Sequence, residues 1–270
     1  MKVTLPAGFL LLVTTLPLMA EPPAGYKLAW SDEFDGSTLD TTLWAYREDN
    51  KHRSVQRREN VRVNEGRLTL DLLVHEERID GKRASGAGVV TRERFRHGYY
   101  ETRARLGLPG GSQRGWHHAF WAMAAEVDER GAVATTYPGV RRTEIDGYEN
   151  STDHRGAPSE SGLSRFTQHV IVWAPSGREV GRLPKPPADI TALKDFDAGV
   201  WHKYAFCWTP QRVEFFVDGQ PTCVAEYPES DFEHDAVNVW LTAISANWNT
   251  PDATPSRAEY DYLRVYAPRE

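Results

Sequence analysis

Tyr100-Glu101-Thr102-Arg103-Ala104-Arg105-Leu106 divides its side chains between two chemistries: Tyr100, Thr102, Ala104 and Leu106 fall on one side of an extended chain, Glu101, Arg103 and Arg105 on the other. A period of two is that of a strand with one face on a core and one in water. Val61-Arg62-Val63, Leu68-Thr69-Leu70-Asp71-Leu72 and Tyr262-Leu263-Arg264-Val265-Tyr266 repeat the pattern. Turn signals separate such runs: Asn64-Glu65-Gly66, Leu108-Pro109-Gly110-Gly111, Thr209-Pro210 and Asp218-Gly219-Gln220-Pro221. No long amphipathic helix interrupts them. Many short strands without long helices predict an all-β sandwich of two packed antiparallel sheets. Ala124 to Arg141 and Arg178 to Lys194 read as long loops, the second carrying Pro184, Pro186 and Pro187, and loops of that length often wall a binding site. No linker or repeat divides the chain, so residues 21–270 are expected to form a single domain.

Arg142-Thr143-Glu144-Ile145-Asp146-Gly147-Tyr148-Glu149-Asn150 sets three carboxylates at i, i+2 and i+5 on a further strand. Regular alternation aligns Glu144 with Asp146 and sends Glu149 to the opposite face. A β-bulge at Gly147-Tyr148 absorbs the extra residue and returns Glu149 to its companions. The two glutamate carboxyls then lie within roughly 5 to 6 Å, the gap of a retaining glycosidase rather than an inverting one. One acid has to be ionised to attack an anomeric carbon, the other has to hold a proton for the leaving oxygen, and like-charge repulsion among three carboxyls raises at least one pKa. Asp146, between them, is expected to hydrogen-bond the nucleophile and to hold the protonation states of its neighbours apart, so that the three titrate as a coupled set. The acids alone also allow a solvated strand face or a calcium site.

Composition narrows the class. The chain has 270 residues, 40% hydrophobic, with nine Trp, eleven Tyr and ten Phe, enough for a sizeable core. A formal charge of −6 does not favour nucleic acid. Residues 1–20, with Lys2, the apolar run Phe9 to Leu18 and Ala20 before Glu21, read as a signal peptide; the mature chain is expected to be secreted or periplasmic, with no membrane insertion. Cys207 and Cys223 appear on strands separated by Arg212 to Val217, too far apart for a disulfide, and are expected to be free thiols.

Trp116-His117-His118-Ala119-Phe120-Trp121 precedes the first predicted loop. Aromatic faces stack on sugar rings, which makes Trp116 and Trp121 candidate subsite walls, although alternation allows only one set, Trp116, His118 and Phe120 or His117, Ala119 and Trp121, to line a cleft. His117 and His118 lack a third histidine at metal-ligand spacing.

Together these residues resemble glycoside hydrolase family 16. The resemblance is carried in order by Trp30-Ser31-Asp32-Glu33-Phe34-Asp35-Gly36 with Leu39-Asp40 and Trp44; Asn60-Val61-Arg62-Val63 with Gly66-Arg67-Leu68; Gly98-Tyr99-Tyr100-Glu101 before Ala119-Phe120-Trp121; the acid strand; Trp201-His202-Lys203-Tyr204 through Trp208-Thr209-Pro210 to Val217-Asp218-Gly219; and the ending Tyr260 to Tyr266. It implies a concanavalin-like β-jelly-roll with a concave substrate cleft, in a retaining endo-β-glycosidase acting on a polysaccharide. Within it Glu144 is the nucleophile, Glu149 the acid/base and Asp146 the assisting acid; Trp116 and His169 match sugar-contacting positions. No cofactor is needed for the chemistry, but a structural calcium is implied at Glu33, the Gly66 carbonyl and Asp261. The expected substrate is a β-1,3- or mixed-linkage glucan and the expected state a monomer. Two departures, Trp116-His117-His118-Ala119-Phe120-Trp121 and Ala243-Ile244-Ser245-Ala246-Asn247-Trp248, keep a sulfated galactan such as agar, porphyran or carrageenan open. So does the excess of 16 Lys and Arg over 10 Asp and Glu across residues 41–120. A non-catalytic glycan-binding sandwich is the alternative of another class.

Overall fold

The computed structural model describes residues 24–50, 52–107, 114–127, 143–152, 165–174, 176–194, 196–227, 235–249 and 251–270. The expected signal peptide, residues 1–20, lies outside them. Sixteen strands follow along the described chain: β1 (Tyr26–Asp32), β2 (Trp44–Tyr46), β3 (Ser54–Gln56), β4 (Val61–Val63), β5 (Leu68–Ile79), β6 (Lys82–Thr91), β7 (Gly98–Gly107), β8 (His117–Met123), β9 (Thr143–Ser151), β10 (Arg165–Trp173), β11 (Glu179–Asp189), β12 (His202–Trp208), β13 (Arg212–Val217), β14 (Gln220–Glu226), β15 (Asn238–Ile244) and β16 (Ser256–Pro268). The alternating runs of the sequence are the strands β4, β5, β7 and β16.

The strand order is β11-β10-β9-β8-β15-β6-β5-β16-β7-β12-β13-β14, with all of these neighbours antiparallel. The long hairpin β5–β6 is the hinge at which this ribbon folds over, so that β11 through β6 form one layer and β5 through β14 the other. Each sheet has an apolar face that has to leave water, and the two faces meet. Tyr148 of β9 touches Tyr204 of β12 at 4.5 Å and Phe120 of β8 lies 5.5 Å from Phe206 of β12. The hydroxyls of Tyr148 and Tyr260 satisfy each other across the layers at 3.0 Å. The jelly-roll expectation holds. Tight turns match the strand twist: Glu65-Gly66 (φ 53° and 68°) joins β4 to β5, and Asp218-Gly219 (φ 51° and 77°) joins β13 to β14, each with two successive positive φ values.

The motif near the start is architectural. Asp32 accepts from the Phe34 amide at 2.8 Å and from the Trp44 indole at 2.7 Å, which ties the end of β1 to the start of β2 under a cover of Trp30 and Phe34. Cys207 and Cys223 are free, on β12 and β14 with β13 between them, as the spacing predicts.

One expected loop is instead a strand. Arg178 to Lys194 contains β11, which among the described residues pairs only with β10, at the edge of its sheet. Val170 pairs with Leu183 and Gln168 with Ala188, so Pro184, Pro186 and Pro187 fall in a break of the ladder, where a missing N–H is tolerated. The break faces His169. Most of the other expected loop, from residue 128 to 141, lies outside the described residues.

Candidate active site

The acid strand β9 is held between β8 and β10, and its bulge lies where the spacing predicts it. Against β8, Phe120 pairs with Tyr148 but Trp121 with Asp146, which leaves Gly147 opposite no residue; against β10 the register slips at the same point, from Thr167 and Glu149 to His169 and Asp146. Gly147 is required there: a Cβ would come within 2.5 Å of the Phe120 ring. The bulge frees its carbonyl, and the buried Gln168 donates to that oxygen at 2.8 Å while accepting from Thr222 of β14 in the opposite layer. Ile145 and Tyr148 then point into the core, and Glu144, Asp146 and Glu149 share the other face.

That face opens into a cavity of about 560 Å³. β10 contributes alternate side chains, Arg165, Thr167, His169, Ile171 and Trp173; Glu144 and Glu149 come from β9, His117 from β8, Glu179, Arg182 and Pro187 from β11, and Trp248 from the segment after β15. The proline-bearing edge thus walls the site, although as a strand. Glu144 Oε2 accepts from the Trp173 indole at 2.5 Å. Glu149 lies 3.2 Å from His117 Nε2 and 3.1 Å from His169 Nε2. His169 Nε2 is also 3.0 Å from Asp146 Oδ2 and 2.5 Å from Nη1 of Arg182, whose other nitrogens are held by Glu179. Neither Asp146 oxygen meets a well-aligned donor, and the close approach of His169 is what draws that carboxylate toward its ionised form.

These contacts separate the acids electrically. Burial, reinforced by the charges of Asp146 and Glu149, pushes Glu144 well above the usual carboxylate range. Asp146 is raised by burial and by Glu149. Burial also works to raise Glu149, but His117 and His169 outweigh it and hold Glu149 well below its ordinary value. Burial opposes a charge on His169, yet Asp146 and Glu149 prevail and raise it to about 10. These opposed shifts favour the protonated form at Glu144 and the ionised form at Glu149, with a charged His169 between Asp146 and Glu149.

The structure gathers Glu144, Asp146, Glu149 and His169, and separates other expected residues from them. Trp116 is 1% exposed and packs in the core with His118 at 4.5 Å, because alternation turns Trp116, His118 and Phe120 inward; its role as a sugar wall is corrected. Trp121 lies on the cleft side but is 8% exposed and covered by Trp240, stacked at 4.6 Å, so it forms floor rather than wall. Burial lowers the pKa of His118 to about 3, which keeps it neutral. Trp173 was within reach of the sequence, since it shares a face with His169 at even spacing. Arg182 and Trp248 carried no local signal.

Nor do the expected calcium positions make an open oxygen cradle. Glu33 is gripped by Arg264 through two hydrogen bonds of 2.9 and 2.7 Å, and Asp261 by Arg103 at 2.8 Å, so both carboxylates already have their countercharge. Gly66 sits in the β4–β5 turn. Asp146, Glu149 and His169 bring ligand atoms within 4.8 Å of one another, but imidazolium and guanidinium already balance those carboxylates.

Comparison with known proteins points the same way. The model of glycosyl hydrolases family 16 matches residues 188–264. A curated beta-glucanase of Rhodothermus marinus is 28% identical over 267 residues, covering 89% of this chain and 85% of the relative. The catalytic domain LamAcat of Zobellia galactanivorans superposes with a TM-score of 0.68 at 20% identity, over 92% of this chain and 100% of that one. The catalytic domain of an endo-1,3-beta-glucanase (laminarinase) from Thermotoga petrophila RKU-1 does so at 0.67 and 20%, over 91% and 99%. At these identities the solved structures speak for the fold.

Proposed function

We propose that the chain is a glycoside hydrolase of family 16 and, within that family, a retaining endo-β-glycosidase cleaving a β-1,3- or mixed-linkage glucan by double displacement. The observation that carries this reading is the bulge at Gly147, which turns Glu149 into the same cavity as Glu144. Glu144 is the nucleophile. Its carboxylate attacks the anomeric carbon and forms a glycosyl ester as the bond to the leaving oxygen breaks, and Glu149 gives that oxygen a proton. Glu149 then takes a proton from the water whose oxygen displaces Glu144. The Trp173 indole fixes one oxygen of Glu144 and leaves the other free to attack. Burial and its neighbours favour a proton on Glu144 over Glu149, so the reaction needs a proton transferred from Glu144 to Glu149 before attack. Asp146 shares their face and has a raised pKa of its own, which suits it to the transfer.

The glucan is favoured by what the relatives are: a beta-glucanase and, in structure, an endo-1,3-beta-glucanase. Release of reducing ends from laminarin and mixed-linkage glucan tests the reading, with proton NMR of the first-formed anomer. Retained configuration and loss of activity in Glu144→Gln are expected. An inverted first product, or turnover that survives the substitution, would refute it, and binding without any turnover would place the chain among non-catalytic glycan-binding sandwiches. Export belongs to the same proposal, with residues 1–20 as the signal; N-terminal sequencing of the mature protein should begin at Glu21.

A further inference from the structure

Beside the cleft lies a second cavity, of about 530 Å³, with a different electrical character. Arg53, Arg78, Lys82 and Arg83 line it, against the single carboxylate of Asp252. Arginines elsewhere on this acidic chain are commonly neutralised by carboxylates, as in Arg58 with Glu48, Arg105 with Glu259 and Arg257 with Asp71. Among the described residues none of these four cations has a carboxylate partner; Arg78 donates only to the Gly81 carbonyl, at 2.9 Å. The backbone gathers them. In the hairpin β5–β6, Val74 pairs with Ala84 and Ile79 with Lys82, so residues 75–78 stand opposite Arg83 alone, and a bulge of that kind redirects side chains.

The segment after β15 borders both cavities. Trp248 lines the acidic cleft and lies 5.3 Å from His117, while Ser245 and residues 251–253 line the basic one. On its other side Trp248 meets His52, next to Arg53, at 6.2 Å. A polymer leaving the cleft past Trp248 therefore meets concentrated positive charge.

We propose that this basic cavity is an anion subsite, which takes a sulfate ester or a carboxylate carried by a sugar beyond the bond that is cut. Guanidinium groups suit such oxyanions through paired, charge-assisted hydrogen bonds. The inference rests on the reading of the acidic cavity as a glycan cleft, and it adds that the glucan cut there carries an anionic substituent beyond the scissile bond. The net charge of −6 sets nucleic acid aside as the occupant.

Affinity electrophoresis of the full chain tests it in gels holding polymer pairs that differ only in substitution: laminarin and sulfated laminarin, agarose and sulfated agarose, laminarin and carboxymethyl laminarin. The sulfated member of at least one pair is expected to bind about tenfold more tightly, with the difference collapsing in 1 M salt; the carboxymethyl pair separates sulfate from carboxylate. The triple variant Arg53→Ser/Arg78→Ser/Arg83→Ser should lose that preference while keeping its melting temperature and its turnover of neutral glucan. Equal retardation within every pair overturns the proposal, as does a preference untouched by the triple variant or a tighter hold on DNA or anionic vesicles than on sulfated glycan. Should neutral laminarin not be cut, the glucan reading fails by itself, since retardation is read without turnover.

Discussion

The two faces of β9 follow opposite rules. Toward the core, Ile145 and Tyr148 are sealed, and the Tyr148 hydroxyl finds Tyr260 at 3.0 Å. Toward the cleft, three carboxyls crowd one another, and Asp146 keeps two buried oxygens without a well-aligned donor. The outer face carries repulsion that the rest of the sandwich has to offset, and a like-charge cluster of this kind marks a site kept for chemistry rather than stability.

Removing the Glu144 carboxyl should therefore lower activity without lowering stability. Glu144→Gln and Glu149→Gln are each expected to reduce turnover by about 10³-fold or more, but Glu144→Gln should keep a melting temperature equal to or above that of the parent, whereas Glu149→Gln gives up the contacts with His117 and His169 and should lower it; a large fall in melting temperature in Glu144→Gln would break the contrast. Gly147 belongs to both faces. Gly147→Ala drives a methyl against the Phe120 ring and should cost about 1 to 3 kcal/mol in urea unfolding while also reducing turnover, as the bulge that aims Glu149 is displaced.

Two tryptophans sharpen the comparison. Trp173→Phe removes the donor to Glu144 and should lower kcat about tenfold with little change in unfolding. Trp116→Phe should do the reverse, with a stability cost of about 1 to 3 kcal/mol and KM unchanged. His169 adds a pH dependence. Its pKa is raised from 6.5 to about 10, so the stability its ion pairs contribute is complete below about pH 6.5 and lost as pH rises through 10. Urea titrations of the parent should show that decline and those of His169→Gln should not. Smallest of all, EDTA or added calcium should move the melting temperature by less than about 1 °C, since arginines occupy the carboxylates of Glu33 and Asp261.

Much of this was legible along the chain. Alternation gave β5, β7 and β16, and the i, i+2, i+5 spacing of Glu144, Asp146 and Glu149 required a bulge at one particular glycine. Trp116 misled because an aromatic beside an acid cluster suits a sugar as well as a core, and only the identity of the inward set decides between them. The prolines of β11 suggested a loop, since nothing local tells an edge strand with a broken ladder from irregular chain. Gln168 gave no signal, although it holds the bulge carbonyl from the next strand.

What the sequence determined by itself are the local quantities: strand period, turn chemistry, and an acid spacing that fits one face only with an extra residue absorbed. Tertiary structure decided the rest, namely which face looks inward, which charges meet, and where the proton rests. Glu149 acquires its low pKa from His117 on one neighbouring strand and His169 on the other. Charges interact through space over a few ångströms, whereas backbone preferences act over a few residues, so only folding could bring those groups together.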